Sequence, residues 1–182
     1  MAADAQLFEM TGLSTFSIGA VGVDGAMGDT LTPYLVKDGT ASFNIAEPTQ
    51  TEIDIYQSDT AYAILQGKQP KDFSLELFGL KLSDLPTFMG GAFVASATTT
   101  PDRWNSPTTI PVIIMSVKLQ TKDSLGQTVG LVFPKCQIIA SVNGSLSKTD
   151  LIGLKLKVVV LAPIDGSGNI LSSWGVDGWV AP

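Results

Sequence analysis

Apolar and polar residues alternate with a period of two through most of the chain, the repeat of a strand with one face in a core and one outside. Phe73, Leu75 and Leu77 fall opposite Asp72, Ser74 and Glu76. Ile53 and Ile55 fall opposite Glu52, Asp54 and Tyr56, and Ala41, Phe43 and Ile45 alternate with Ser42 and Asn44. In the second half, Ile113, Met115, Val117 and Leu119 alternate with Ser116, Lys118 and Gln120. Ile152, Leu154, Leu156, Val158 and Val160 make a last long strand with Lys155 and Lys157 outside. Between these two strands the phase changes. Val129, Leu131 and Phe133 are apolar at odd positions, but beyond Pro134 the apolar set is Cys136, Ile138, Ala140 and Val142. A one-residue slip at a proline predicts a β-bulge.

The pattern changes to a helical one only once. Leu85, Phe88 and Met89 fall at i, i+3 and i+4, Ser83 is placed as the N-cap, and Gly90 is the natural stop. Turn signals separate the strands: Asp24-Gly25 in a glycine series at 19, 22, 25 and 28, a hairpin turn at Asp38-Gly39 after a strand near 30–36, Gly67-Lys68 after a short apolar piece at 62–65, and Asn143-Gly144. Residues 98–109, TTTPDRWNSPTT, read as an exposed loop with Trp104 as its anchor. Residues 1–13 read as an N-terminal arm and 163–182 as a C-terminal tail, which holds Trp174 and Trp179 and is expected to dock. No linker divides the chain, so 1–182 is expected to be a single all-β domain, a β-sandwich or barrel with one short flanking α-helix.

Composition narrows the chemistry. The 182 residues are 45% hydrophobic and only 15% charged, with a net charge of −6. The 11 basic residues are scattered, so no patch for gripping nucleic acid is expected. There is no histidine, which removes His-based proton relays, and the single Cys136 rules out an internal disulfide or a cysteine-rich zinc site. Cys136 lies on the inward face of its strand and reads as a buried structural thiol. Glu52 and Asp54 form a carboxylate pair of glycosidase type, but no aromatic platform flanks them, and a solvated strand face is the better reading. The glycine series lacks the Lys-Ser/Thr of a phosphate loop, and 165–169 lacks the distal glutamate of a calcium loop. No enzyme and no cofactor are expected. The start, MAADAQLFEM, is not expected to be a signal peptide, and no segment nears the roughly 20 apolar residues of a membrane span.

The order of parts resembles the major tail tube protein of long-tailed bacteriophages. The likeness runs through Asp38-Gly39-Thr40-Ala41-Ser42-Phe43, the acidic strand Thr51-Glu52-Ile53-Asp54-Ile55-Tyr56, the strand Phe73-Ser74-Leu75-Glu76-Leu77, and a short helix closing in Phe88-Met89-Gly90-Gly91. It continues with Trp104-Asn105-Ser106-Pro107, Phe133-Pro134-Lys135-Cys136 and Val160-Leu161-Ala162-Pro163 followed by Asp165-Gly166, spanning about residues 14–168. The resemblance implies six copies in a ring, rings stacked into a hollow tube, and genomic DNA passing through the bore. It implies other tail proteins as partners (tape measure, baseplate and terminator) and a place in the virion tail, assembled in the host cytoplasm. Type VI secretion tubes look like relatives, so the fold alone does not name the machine.

The physics agrees with such a role. Duplex DNA carries one negative charge per about 1.7 Å of axis, so a bore that must not retain it is best neutral or acidic. Glu52, Asp54 and Glu76 are the candidates for that lining. Open sheet edges invite pairing, and ring closure lets each edge meet a neighbour's, while head-to-tail contact builds filaments. The loops at 19–31 and 98–109, the 58–71 connection and both termini are available for contacts between rings. The alternatives are another ring of a tail or injection machine, such as a baseplate hub, a tail terminator or a secretion tube, and a monomeric β-sandwich binding module.

Overall fold

A computed structural model describes residues 11–53, 63–97, 100–122, 128–143 and 153–177. The fold is all-β with one short helix, built on a single sheet curled into a half-barrel. The curl sets the two halves of one sheet around a common core, the part that two layers play in a sandwich. The strands of this sheet are β1 (Thr11–Gly19), β2 (Thr32–Tyr34), β3 (Ser42–Ile45), β6 (Lys71–Leu77), β9 (Ile113–Lys122), β10 (Thr128–Asn143), β11 (Gly153–Val160) and β12 (Gly175–Asp177). Two small ribbons stand apart from it: β4 (Gln50–Ile53) with β5 (Ala63–Gln66), and β7 (Ala92–Val94) with β8 (Arg103–Asn105). The order across the main sheet is β2-β1-β9-β10-β11-β6-β3, with β12 added on β10, and every pairing is antiparallel.

The alternation predicts the core well. Phe73, Leu75 and Leu77 of β6, Leu154, Leu156 and Val158 of β11, and Val117 and Leu119 of β9 are all buried. Cross-strand neighbours Leu77 and Leu154, Leu75 and Leu156, and Phe73 and Val158 share the inner face, so each row adds apolar area to the same cluster. The phase flip at Pro134 is a bulge. The β9–β10 register passes from Phe133↔Val117 to Cys136↔Met115, and this slip keeps Phe133 and Cys136 both fully buried. The 16-residue β10 thereby serves two neighbours on one side: β12 beside Gly130–Val132, and β11 from Cys136 onward.

Several expectations are corrected. Asp38-Gly39 forms a turn, with the Thr40 amide donating to the Lys37 carbonyl, but not a hairpin. β2 pairs with β1 at one edge of the sheet and β3 with β6 at the other, so the chain between them crosses the open end of the curl. Val36 bridges to Leu77 on the way. The chain from Val36 to Ser42 is longer than the stretch of β6 it lies against, and the turn takes up the excess. β1 begins at Thr11 rather than near Thr15, so the arm is shorter than read. The 98–109 segment contains β8, and the tail beyond residue 163 returns as β12 against Gly130, Leu131 and Val132. Trp174, in that tail, packs against the core as expected, while Trp179 lies outside the described residues.

Helix α1 (Leu85–Met89) follows a 3-10 turn at Leu82–Asp84. Asp84 rather than Ser83 stands at the N-cap position and makes no side-chain cap bond to the helix; its carboxylate accepts from the Lys81 amide at 3.0 Å, across the preceding 3-10 turn, and Pro86 occupies the first turn, where no amide is needed. Gly90 ends the helix at φ 71° and ψ −161°, backbone that only glycine adopts readily. Phe88 enters the core and meets Tyr34 edge-on at 5.0 Å, so the helix plugs the end of the half-barrel that the 35–41 crossing spans.

Ser116 was expected outside, by alternation, and is fully buried. The glycine-rich segment after β1 folds over it. Ser116 Oγ donates to the Pro134 carbonyl at 2.7 Å and accepts from the Gly28 amide at 3.1 Å. Gly28 approaches so closely that a Cβ there would collide with the Ala20 carbonyl. One hydroxyl thus ties the bulge to the loop. Ser116→Ala leaves a buried amide and a carbonyl unpaired, and is expected to cost about 1–3 kcal/mol. Urea unfolding should show this as a lowered midpoint with an unchanged slope; an unchanged midpoint would contradict the role given to the hydroxyl.

Candidate functional site

The carboxylates singled out by the sequence do not share one surface. Glu52 is exposed on β4, and Asp54 lies outside the described residues. Glu76 lies on the outward face of β6, opposite Lys155 in register, with Lys37 Nζ 3.7 Å from its carboxylate. Its side chain is 22% exposed. On the same face Lys157 sits 3.7 Å from Asp72, and Lys118 holds Asp177 at 2.7 Å. The outer face of the main sheet is therefore mixed in charge, and the acidity read from the sequence is concentrated in the segment that carries the ribbon. From residue 46 to 67 the chain holds acidic residues and no lysine or arginine.

That ribbon is the most distinctive feature of the molecule. It leaves the sheet between β3 and β6 and is clamped at its root. The Ala46 amide donates to the Pro70 carbonyl at 3.1 Å, and the Gly67 amide to the Thr49 carbonyl at 2.6 Å. The register Thr51↔Leu65 and Glu52↔Ile64 sorts its faces. Ile53 and Leu65 fall on one side with Thr51, while Gln50, Glu52 and Gln66 fall on the other, where Ile64 is the register partner of Glu52. Among the described residues nothing covers the side that holds Ile53 and Leu65, leaving Ile53 40% and Leu65 57% exposed. A two-stranded ribbon of this length is marginal in water by itself, so its shape points to a further surface that it packs on.

The sheet also leaves edges open. β2 covers only Phe16–Ile18 of β1, so the start of β1 faces β3 across the seam of the curl. Gly12, Leu13, Phe43, Phe73, Leu119 and Leu131 are among the residues lining a cleft of about 310 Å³ there. Phe43 closes its inner wall with ring contacts to Phe73 (6.1 Å) and Phe133 (5.8 Å).

A second, larger hollow of about 420 Å³ lies between α1, Trp104 and the 110–113 segment beside β10. Trp104 donates its indole N–H to the Gly90 carbonyl at 2.9 Å, which fixes β8 against the helix and makes Trp104 the loop anchor that was expected. Phe88, Met89, Ile113 and Ile138 form the floor, and Ile110, Val112 and Ile139 stand on the rim, Ile110 being 89% exposed. These rim residues were missed from the sequence. Their signal was the unbroken run Ile110-Pro111-Val112-Ile113-Ile114, in which both alternate faces are apolar.

Other candidate chemistry is quiet. Burial pushes the Cys136 thiol up to about 12, far from the range of a nucleophile. Asp165 is held below its usual value, first by the Asn169 side-chain amide and then by backbone amides, which is the work of a turn. Among the described residues no cluster of three His, Cys, Asp or Glu side chains forms, and no helix is long and apolar enough to cross a membrane. The sequence matches no protein-family model, and a search of curated proteins finds no match.

Proposed function

We propose that this chain is a structural subunit that assembles with itself, the tail tube protein of a phage or a close relative in another injection machine, whose hexameric rings stack into a hollow tube for DNA. The observation that carries this reading is the clamped β4–β5 ribbon with an uncovered apolar side, on a chain whose main sheet also keeps open edges at β2 and β3. Uncovered apolar ribbons and open edges are liabilities in a monomer and are removed when copies pack together. The resemblance in the order of parts supplies the kind of assembly, and the net charge of −6 suits a wall past which DNA must slide without sticking. Purified protein is expected to form rings or tubes of uniform width in negative stain at high concentration.

The apolar cleft in the seam favours a second reading, a single-copy binding module that holds a small apolar ligand between β1 and β3. A protein that stays monomeric in light scattering up to the highest concentration reached, with no rings in stain, would overturn the first reading in favour of the second.

A further inference from the structure

Asp-Gly pairs punctuate this chain at 24–25, 38–39, 165–166 and 177–178. Such a pair carries a reaction of its own. The glycine amide nitrogen attacks the aspartate side-chain carboxyl carbon, water leaves, and a succinimide ring closes. Glycine permits this best, because no Cβ hinders its nitrogen and its backbone turns freely. Water then reopens the ring at either carbonyl, giving back aspartate or giving isoaspartate, in which the main chain runs through the side-chain carbon. Ring closure needs a neutral carboxyl that can swing onto the amide and a backbone that can turn with it. Any partner that holds the carboxylate slows it.

The fold restrains the other pairs. Asp165 accepts from the Ser167 amide at 2.9 Å, the Asn169 amide at 2.8 Å and the Asn169 side chain at 2.9 Å, and these bonds keep its carboxyl ionised. Gly178 lies outside the described residues, but the Asp177 carboxylate is bound to Lys118 at 2.7 Å on a paired strand. Asp24 sits in a 3-10 turn closed by two bonds, Gly22 amide to Ala26 carbonyl and Ala26 amide to Val23 carbonyl, with its side chain against Gly166 and Gly25 against Ile164. Asp38-Gly39 differs. Both residues are exposed, and among the described residues nothing holds the Asp38 side chain or the Gly39 amide. Gly39, at φ 73°, has nothing within 4 Å of where a Cβ would stand. The Thr40 amide closes this turn on the Lys37 carbonyl at 3.3 Å, a long bond.

We propose that Asp38 is the site at which the folded chain isomerises itself to isoaspartate. The reaction needs no partner copy and stands apart from the assembly proposed above. Its product has one more main-chain carbon between Lys37 and Gly39. The neighbouring Thr40 hydroxyl donates to the Lys37 carbonyl at 2.6 Å and accepts from the Glu76 amide at 3.2 Å, so it latches the crossing segment onto β6. A longer main chain between Lys37 and Thr40 pulls that latch apart.

The test incubates full-length protein in warm neutral buffer, native and in urea, then digests it for mass spectrometry with electron-transfer fragmentation, which separates isoaspartate from aspartate. Asn143-Gly144 is told apart because its cyclisation releases ammonia and changes the mass. In urea the four Asp-Gly pairs are expected to react at similar rates. In the native protein isoaspartate is expected at Asp38, with Asp165 and Asp177 slower by roughly tenfold or more, since a charged hydrogen bond must break first. Asp38→Glu, which would have to close a larger ring, should stay unmodified and keep its melting midpoint while that of aged parent protein falls. Native accumulation at Asp165 or Asp177 as fast as at Asp38 would overturn the proposal. So would a native chain unmodified at Asp38 while the unfolded chain reacts there. Modification at Asp38 with an unchanged midpoint would overturn the latch.

Discussion

Phe133→Ala is expected to lose about 3–5 kcal/mol of stability, the cost of a large cavity at a fully enclosed aromatic. Phe133 is 0% exposed and stands 5.2 Å from Phe73 and 5.8 Å from Phe43, so its ring links the bulged centre of β10 to β6 and to edge strand β3. Removing it strips three strands of a shared contact. The site is badly placed to collapse, because the bulge commits Cys136 to the same side and leaves no slack for β10 to move inward. Against a total of about 5–15 kcal/mol, such a loss consumes a large share. At this chain length it corresponds to a melting temperature lower by roughly 10–15 °C. Phe43→Ala is the internal control. Phe43 touches the same rings but is 40% exposed, so less is lost. Thermal and urea melts followed by circular dichroism read both variants. Equal midpoints for Phe133→Ala and the parent protein would mean that the aromatic cluster is not the keystone of the half-barrel.

Glu52→Lys combined with Asp54→Lys is expected to slow DNA passage by tenfold or more while tubes still form. Glu52 is exposed on the ribbon, so its reversal does not touch the core. Each reversal replaces a repelled carboxylate with an ammonium that takes up phosphates, and such contacts are strong at low salt and fade as salt rises. The defect should therefore shrink at high ionic strength, which steric obstruction would not do. Glu76→Lys should behave differently. Glu76 sits among Lys37 and Lys155, so reversal there sets like charges together and lowers stability before it affects DNA. Normal ejection kinetics from the double variant, in particles with intact tails, would remove the ribbon carboxylates from the lining. Slowed DNA passage through intact, equally stable Glu76→Lys tubes, with the double variant normal, would move the lining to the main sheet.

The sequence was most legible where one face of a strand meets one core. The rows of β6, β9 and β11 and the slip at Pro134 follow directly from alternation, because burial on one side and solvent on the other is what that pattern encodes. It misled where a loop supplies the second layer. Ser116 looks like an outward residue until the glycine-rich segment lies over it, and nothing in a period of two announces that cover. Asp38-Gly39 has hairpin chemistry, but turn residues specify local backbone and not which strands pair, and here the partners are β1 and β6. β12 and β8 were missed because three residues are too few to show a period. At the candidate surface, the acidity of Glu52 was legible and the lysine partners of Glu76 were not, since Lys37 and Lys155 reach it only through the fold. The apolar rim was present in plain view as a run at 110–114, and was passed over because it does not alternate.

The strand order has a temporal consequence. Ser14 of the first strand hydrogen-bonds to Gln120, 106 residues later. At about 5–20 residues per second, a nascent chain waits roughly 5–20 s between making β1 and making the strand it needs. Until that strand arrives, Phe16 and Ile18 of β1, which the finished fold encloses, have no core to enter.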